Sequence, residues 1–353
     1  EIDNIDYFIN QIIKIKTHCK QTELMEALKE KLDLMDVDSF NSILGSYSRN
    51  GSSRFVPPSD HASSVEERFK EDENDVNDDG CFTFNFKDDK TNLDEVLAGT
   101  LHPKYGLLIA IIGRSNLGKT QTVIHVTARS MICGFNSVFF LSEGSKSYVS
   151  SQLDARLSGL QVHDIFQKRL NNEQKQLLRD KLEKIQGKTT IIKIPRATYT
   201  FRDLRSMVND VKRINNQNVD VVVVSPLYGL LPSKKNKSDD QAIRTDKLSL
   251  YEDGKKFAEE DGGCLLFCED QLKVANAYQK NIVISDIAEA NSSAQELDFL
   301  FGLCATKGEE HLNRVRFQLV KSRMCDRQGI VEVKLTKDFS KARFISGWKS
   351  NGR

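Results

Sequence analysis

Short apolar runs alternate along this chain with longer stretches in which apolar residues recur every three or four positions. The strand-like runs are LLIAII (107–112), NSVFFLSE (136–143), TTIIKIP (189–195), VDVVVVSP (219–226) and GGCLLFCEDQ (262–271). Between them, TQTVIHVTARSMI (120–132), SYVSSQLDARLSGL (147–160), EQKQLLRDKLEKIQ (173–186), TFRDLRSMVNDVKRI (200–214) and LSLYEDGKKFAEED (248–261) carry helical spacing. Continuously apolar strands separated by helices predict an α/β fold over residues 81–353, with a mostly parallel central sheet covered on both faces. FLFGLCAT (299–306), RVRFQLVKSR (314–323) and GIVEVKLT (329–336) predict further strands, expected to be antiparallel.

Upstream of residue 81 the pattern changes. YFINQIIKIK (7–16), ELMEALKEKLDLM (23–35) and VDSFNSILGSY (37–47) read as short helices in a small N-terminal unit over residues 1–48. Residues 49–80 are rich in Gly, Ser and Pro, then acidic, and read as a partly disordered linker. Within it SSVEERFKED (63–72) predicts one short helix, with Ser63 or Ser64 as cap and Glu66 or Glu67 closing a capping box.

Composition narrows the class without deciding it. A chain of 353 residues holds one large α/β domain and a smaller appendage. The net charge of +1 gives no global pull toward nucleic acid, so any such contact must come from local basic loops. The longest apolar runs fall far short of the ~18 residues a membrane span needs, and no signal peptide is visible. Cysteines number seven, an odd count that argues against a complete disulfide framework. Cys264 and Cys268 lie in the apolar run CLLFC, which suits buried strand thiols better than zinc ligands. A reducing, cytoplasmic compartment with no membrane partner is the expectation.

One loop carries recognisable chemistry. Gly113, Arg114, Ser115, Asn116, Leu117, Gly118, Lys119 and Thr120 read GxxxxGK[ST], between an apolar strand and a helix. The glycines let backbone N–H groups turn inward around a triphosphate, and the helix offers its positive N-terminal end. Lys119 would reach the outer phosphates and the Thr120 hydroxyl would ligate magnesium. ATP and Mg2+ are therefore the expected cofactors.

The order of segments around this loop resembles the RecA-type ATPase core of DnaB-family replicative helicases, especially those of tailed phages, over about residues 85–345. The resemblance is carried by TNLDEVLAGTLHPKYGLLIAIIGRSNLGKT, VFFLSEGSKSYVSSQLDAR, IIKIPRATYTFRDLRSMVNDVKR, FCEDQL followed by ISDIAEANSSAQELDFLFGL, and VKSRMCDRQGI. It implies a RecA-like P-loop ATPase acting as a ring-shaped helicase on single-stranded DNA. By the same resemblance Glu143 is the carboxylate that polarises the attacking water, and Gln271 senses the γ-phosphate. Lys321 and Arg323 alternate along a strand, and the family would have them reach the neighbouring subunit's γ-phosphate as fingers.

One position departs from the family. Its fourth strand ends in an aspartate that holds the magnesium shell, and here that place is Ser225, in Val224-Ser225-Pro226-Leu227. A neutral hydroxyl can bond a metal-bound water but adds no charge. Asp220 starts the strand, roughly 13 Å too far away. Hydrolysis is weakened, or another acid such as Glu269 or Asp270 compensates, or the residue was changed to trap a nucleotide complex.

Two loops are the expected DNA contacts. LLPSKKNKSDD offers Lys234, Lys235 and Lys237, and QLKVANAYQKNIV offers Lys273, Asn276, Tyr278 and Lys280. Lysines suit phosphate tracking and Tyr278 suits base stacking. The resemblance further implies a homo-hexamer with an N-terminal collar, and a primase, a helicase loader or a single-strand-binding protein as partners. The alternatives are another RecA-class DNA-dependent ATPase, or a weakly hydrolysing, nucleotide-clamped DNA-binding ring motivated by Ser225.

Overall fold

The computed structural model describes residues 80–233, 239–260, 262–271, 278, 280–284, 295–325 and 330–348, all within the compact unit Asp78–Arg353. The helices expected over 1–48 and, save for Gly80, the linker expected over 49–80 lie outside these residues. So do Lys234, Lys235, Lys237, Lys273, Asn276 and the DIAE segment.

The strands are β1 (Leu107–Gly113), β2 (Ser137–Leu141), β3 (Thr189–Lys193), β4 (Val221–Ser225), β5 (Leu265–Gln271), β6 (Phe299–Cys304), β7 (Arg314–Ser322), β8 (Val331–Asp338) and β9 (Arg343–Ser346). Among the described residues they form one sheet in the order β3-β2-β4-β5-β1-β6-β7-β8-β9. The first six in that order are mutually parallel, and β7, β8 and β9 run antiparallel. The expectation that the whole C-terminal part would be antiparallel is thus corrected for β6, which pairs parallel with β1. The long segment from β5 to β6 is enough chain for a crossover, which parallel pairing requires.

Alternation along each strand divides the core into two layers. Leu107, Ile109 and Ile111 of β1 face one layer with Phe267, Phe301 and Phe317; Leu108, Ala110 and Ile112 face the other with Phe201, Leu204, Tyr251 and Phe257. This is why these runs read as unbroken apolar sequence. Helices α1 (Leu93–Leu97), α2 (Lys119–Ile132), α3 (Lys146–Ser158), α4 (Val162–Phe166), α5 (Asn172–Glu183), α6 (Phe201–Asn215), α7 (Asp239–Glu259) and α8 (Lys307–His311) connect the strands. α6 starts where Thr200 and Asp203 cap each other's backbone N–H groups, and α5 starts with the same device on Asn171 and Gln174. α7 begins at Asp239, well before the apolar periodicity that starts at Leu248.

α2 is fastened to the first layer from inside. His125 is fully buried, stacked on Phe86 with ring centroids 4.3 Å apart. Arg156 donates to His125 Nδ1 from Nε (3.1 Å) and Nη2 (2.8 Å), so that nitrogen accepts and Nε2–H donates to the Phe84 carbonyl at 2.6 Å. Burial first, and the Arg156 charge second, hold the imidazole well below its ordinary pKa of 6.5. The helix that carries Lys119 and Thr120 is thereby locked to the segment Phe82–Phe86 on one side and to α3 on the other.

Candidate active site

Parallel strands end at one edge of the sheet, and that edge is where α/β folds bind ligands. Here it collects Gly113, Leu141, Ser225 and Gln271, with register pairs Gly113↔Gln271 and Leu141↔Ser225. The loop from Gly113 to Lys119 turns at Asn116 (φ 67°) and Gly118 (φ 103°). Gly118 is required twice over. Its φ is rarely open to other residues, and a Cβ there would lie 2.9 Å from the Phe339 ring. Leu117 is buried and anchors the loop, while Lys119 Nζ donates to the Arg114 carbonyl at 3.2 Å, across the loop. Burial lowers the lysine's pKa, and the charges of Glu269 and Asp270 oppose that shift.

The loop's other side chains tie it to its surroundings. Arg114 forms an ion pair with Glu310 of α8 and lies over the Tyr278 ring, 4.5 Å from its centroid. Ser115 Oγ accepts from Gln271 Nε2 at 3.0 Å, so the expected sensor already touches the loop. Asn116 is exposed.

Thr120 Oγ1 donates to the Glu269 carboxylate, 3.2 Å from each oxygen, and Ser225 Oγ donates to Glu269 Oε2 at 2.5 Å. Burial raises the Glu269 carboxyl above the ordinary range, against the Ser225 hydrogen bond, the Lys119 charge and the Thr120 hydrogen bond. Asp270 follows on the strand and faces the other way. It accepts from Tyr251 Oη (2.6 Å) and pairs with Lys247 Nζ (2.5 Å). Asp220 accepts from the Asn136 backbone N–H at the far end of β4.

Glu143 stands just beyond β2, half-exposed, paired with Arg196 Nη1 at 3.2 Å and accepting from Tyr228 Oη at 3.3 Å. Arg196 also covers the Tyr228 ring, at 4.9 Å. Burial, then the negative charge of Glu143, raises the Tyr228 hydroxyl pKa. Sequence reasoning missed Arg196, Tyr228 and Glu310, because all three reach the site through tertiary packing.

Lys321 and Arg323 lie at the opposite edge. Lys321 is the last residue but one of β7 and donates from Nζ to the carbonyls of Leu297 (2.7 Å) and Gln295 (3.3 Å), while Arg323 stands one residue past the strand. Arg323 bonds the Asp298 carbonyl through its backbone N–H and faces the Asp298 carboxylate at 3.6 Å; Asp298 Oδ2 also accepts from the Leu108 N–H. From Leu108 to Gly113 along β1 is about 16 Å, so neither cation can reach this chain's own loop. Tyr278 and Lys280 are exposed near the nucleotide edge, and Gln318 holds the chain just beyond them by paired bonds to the Ile282 backbone.

No cluster of three or more His, Cys, Asp or Glu suited to a metal occurs among the described residues. A magnesium ion shared with phosphates needs only one or two protein oxygens, and Thr120 with Glu269 offers such a set. Cys268 is fully buried and Cys264 nearly so, with burial pushing the Cys264 thiol up to about 12. No helix of the described residues is long and apolar enough to cross a membrane.

A mostly parallel sheet with this loop between β1 and α2, and acids at neighbouring strand ends, defines a RecA-type P-loop ATPase. The chain belongs to the DnaB-like helicases: the family's model for the DnaB-like helicase C-terminal domain matches residues 87–343. It is accordingly an ATP-dependent replicative DNA helicase. Among solved structures, the fold is similar to that of an ATPase domain, with TM-score 0.63 and 18% identity over 81% of this chain and 99% of that one. It is similar also to a DnaB-like replicative helicase solved for its interactions with primase, with TM-score 0.63 and 17% identity over 94% of this chain and 76% of that one. No curated protein sequence gives a significant match.

Proposed function

We propose that this helicase works as a homo-hexameric ring on single-stranded DNA, with ATP held between subunits. The observation that carries the reading is the two-ended layout. The P-loop, Glu143 and Gln271 share one edge of the sheet, and Lys321 and Arg323 stand about 16 Å away at the other. A single chain cannot bring both sets to one triphosphate, whereas head-to-tail neighbours can.

In this site Lys119 places its charge against the outer phosphates and Thr120 offers its hydroxyl. Glu143, held by Arg196 and Tyr228, accepts a proton from the attacking water. The neighbour's Arg323 and Lys321 offset charge that develops on the γ-phosphate. Magnesium, when bound with the nucleotide, would be held by Thr120 and Glu269 and would supply further positive charge to the site. Gln271 touches both the P-loop and the start of the second DNA loop, so it couples phosphate occupancy to Tyr278 and Lys280.

A primase, a loader or a single-strand-binding protein are the partners such a motor implies, and the bacterial or phage-infected cytoplasm is its compartment. The test is strand separation on a forked duplex with ATP and magnesium. Unwinding that needs hydrolysable ATP and a single-stranded tail supports the reading. Annealed forks left intact by rings that demonstrably bind ATP would refute it.

A further inference from the structure

The fourth strand ends in a hydroxyl where a magnesium site calls for charge, and the structure supplies that charge from the next strand. We infer that Glu269 of β5 is the metal-shell carboxylate of this ATP site, with Ser225 as the residue that positions it. The inference rests on the P-loop reading above and concerns how this particular chain completes it.

Three acids compete for the role, and geometry separates them. Asp220 lies at the wrong end of β4, with its carboxylate bound to the Asn136 N–H. Asp270 points to the opposite face of the sheet, as successive strand residues must, and is engaged there by Tyr251 and Lys247. Glu269 points to the face that carries α2. Its oxygens lie 3.2 Å from the hydroxyl of Thr120, the P-loop residue whose oxygen meets the metal.

Length explains how a glutamate on β5 replaces an aspartate on β4. Neighbouring strands are about 4.8 Å apart, so the longer side chain spans from β5 to the end of β4. There the Ser225 hydroxyl meets it at 2.5 Å. An aspartate at 225 would set a second carboxylate against the first, and without a cation between them two like charges at that distance oppose each other's ionisation. Serine at 225 and glutamate at 269 are therefore a matched pair.

The surroundings leave this carboxylate short of positive charge. Glu269 is 7% exposed and has no ion-pair partner among the described residues. Its hydrogen-bond donors, Ser225 and Thr120, are both neutral. A buried carboxylate held only by neutral hydroxyls is costly unless a cation joins it. The nearby positive charge is Lys119, which the phosphates would claim.

The experiment titrates Mn2+ into the full-length protein with a non-hydrolysable ATP analogue and reads free Mn2+ by electron paramagnetic resonance. Affinity for a fluorescent nucleotide in EDTA serves as the folding control. Glu269→Gln is expected to weaken Mn2+ binding about tenfold or more, with metal-free nucleotide affinity within about twofold. Ser225→Asp alone is expected to give no tightening, since it adds a competing carboxylate. The exchanged pair Ser225→Asp/Glu269→Gln is expected to recover most of the lost affinity.

Wild-type Mn2+ affinity in Glu269→Gln would overturn the inference while leaving the ATPase reading intact. So would a Ser225→Asp variant that binds Mn2+ more tightly than wild type. Wild-type protein with no nucleotide-dependent Mn2+ binding would overturn both. If Glu269→Gln does not fold, the exchanged pair decides alone: failure to hold Mn2+, in protein that still binds nucleotide in EDTA, refutes the assignment.

Discussion

Replacing Arg323 by alanine removes a guanidinium that is 43% exposed and 3.6 Å from the Asp298 carboxylate. Asp298 keeps a second cation, Lys255 Nζ at 2.7 Å, so the loss to stability should be at most about 1 kcal/mol. The effect on turnover should be far larger, because a finger acting across an interface contributes about 10³-fold or more. Nucleotide affinity should change little, since the residue sits about 16 Å from its own P-loop. Lys321→Ala should behave alike, with a larger stability cost because its ammonium bonds the Leu297 carbonyl. The assay is steady-state ATPase beside fluorescent-nucleotide binding on each variant, then on equimolar mixtures with Lys119→Ala. If interfaces act independently, about a quarter of them pair an intact P-loop with an intact finger, which sets the ceiling on recovered activity. Mixed rings with no activity above either parent would refute the trans role. So would an Arg323→Ala variant whose affinity falls as far as its turnover.

Other outcomes follow from single residues. His125 is held neutral in the fold, so between pH 6.5 and its lower folded value the unfolded chain binds a proton that the native chain excludes. Stability should therefore fall on acidification through that window, by about 1.4 kcal/mol per pH unit at most from this group. Urea unfolding at pH 7.5 and 5.5 should show a shallower loss in His125→Gln, and an equal loss would remove the assignment. Gly118→Ala should abolish tight nucleotide binding, because φ is 103° and the Phe339 ring lies 2.9 Å from the new Cβ. Gly159→Ala, at φ 81° with open space, should leave binding intact, and equal binding in the two variants would argue against the loop geometry. Lys280→Ala should reduce the salt dependence of single-strand binding by about 0.7 in log–log slope. Tyr278→Ala should cost roughly 1–3 kcal/mol with the slope unchanged, and a slope change there would mean its contact is not stacking.

Local order was legible where the pattern is local. The run from Leu107 to Ile132 reads as strand, glycine loop and helix because two apolar segments of different period flank a fixed spacing. β2, β4 and β5 read as buried strands for the same reason. The direction of β6 was misread because an apolar run carries no information about its partner, and the decisive fact is a crossover between β5 and β6. The short helices Val162–Phe166 and Lys307–His311 span too few residues to show a period. Site partners were the least legible. Arg196, Tyr228 and Glu310 come from segments with no chemical signature, and only packing brings them to Glu143 and Arg114. The choice between Glu269 and Asp270 was within reach, since strand alternation sends them to opposite faces.

The central claim is that this chain turns ATP hydrolysis into movement on single-stranded DNA. The most direct measurement is steady-state ATP hydrolysis by the full-length protein, with and without a long single strand, beside Lys119→Ala. Turnover that needs magnesium, rises several-fold with the strand and disappears in Lys119→Ala is the expected result. Tight ATP binding with no turnover in either condition would contradict the account and leave a nucleotide clamp in its place.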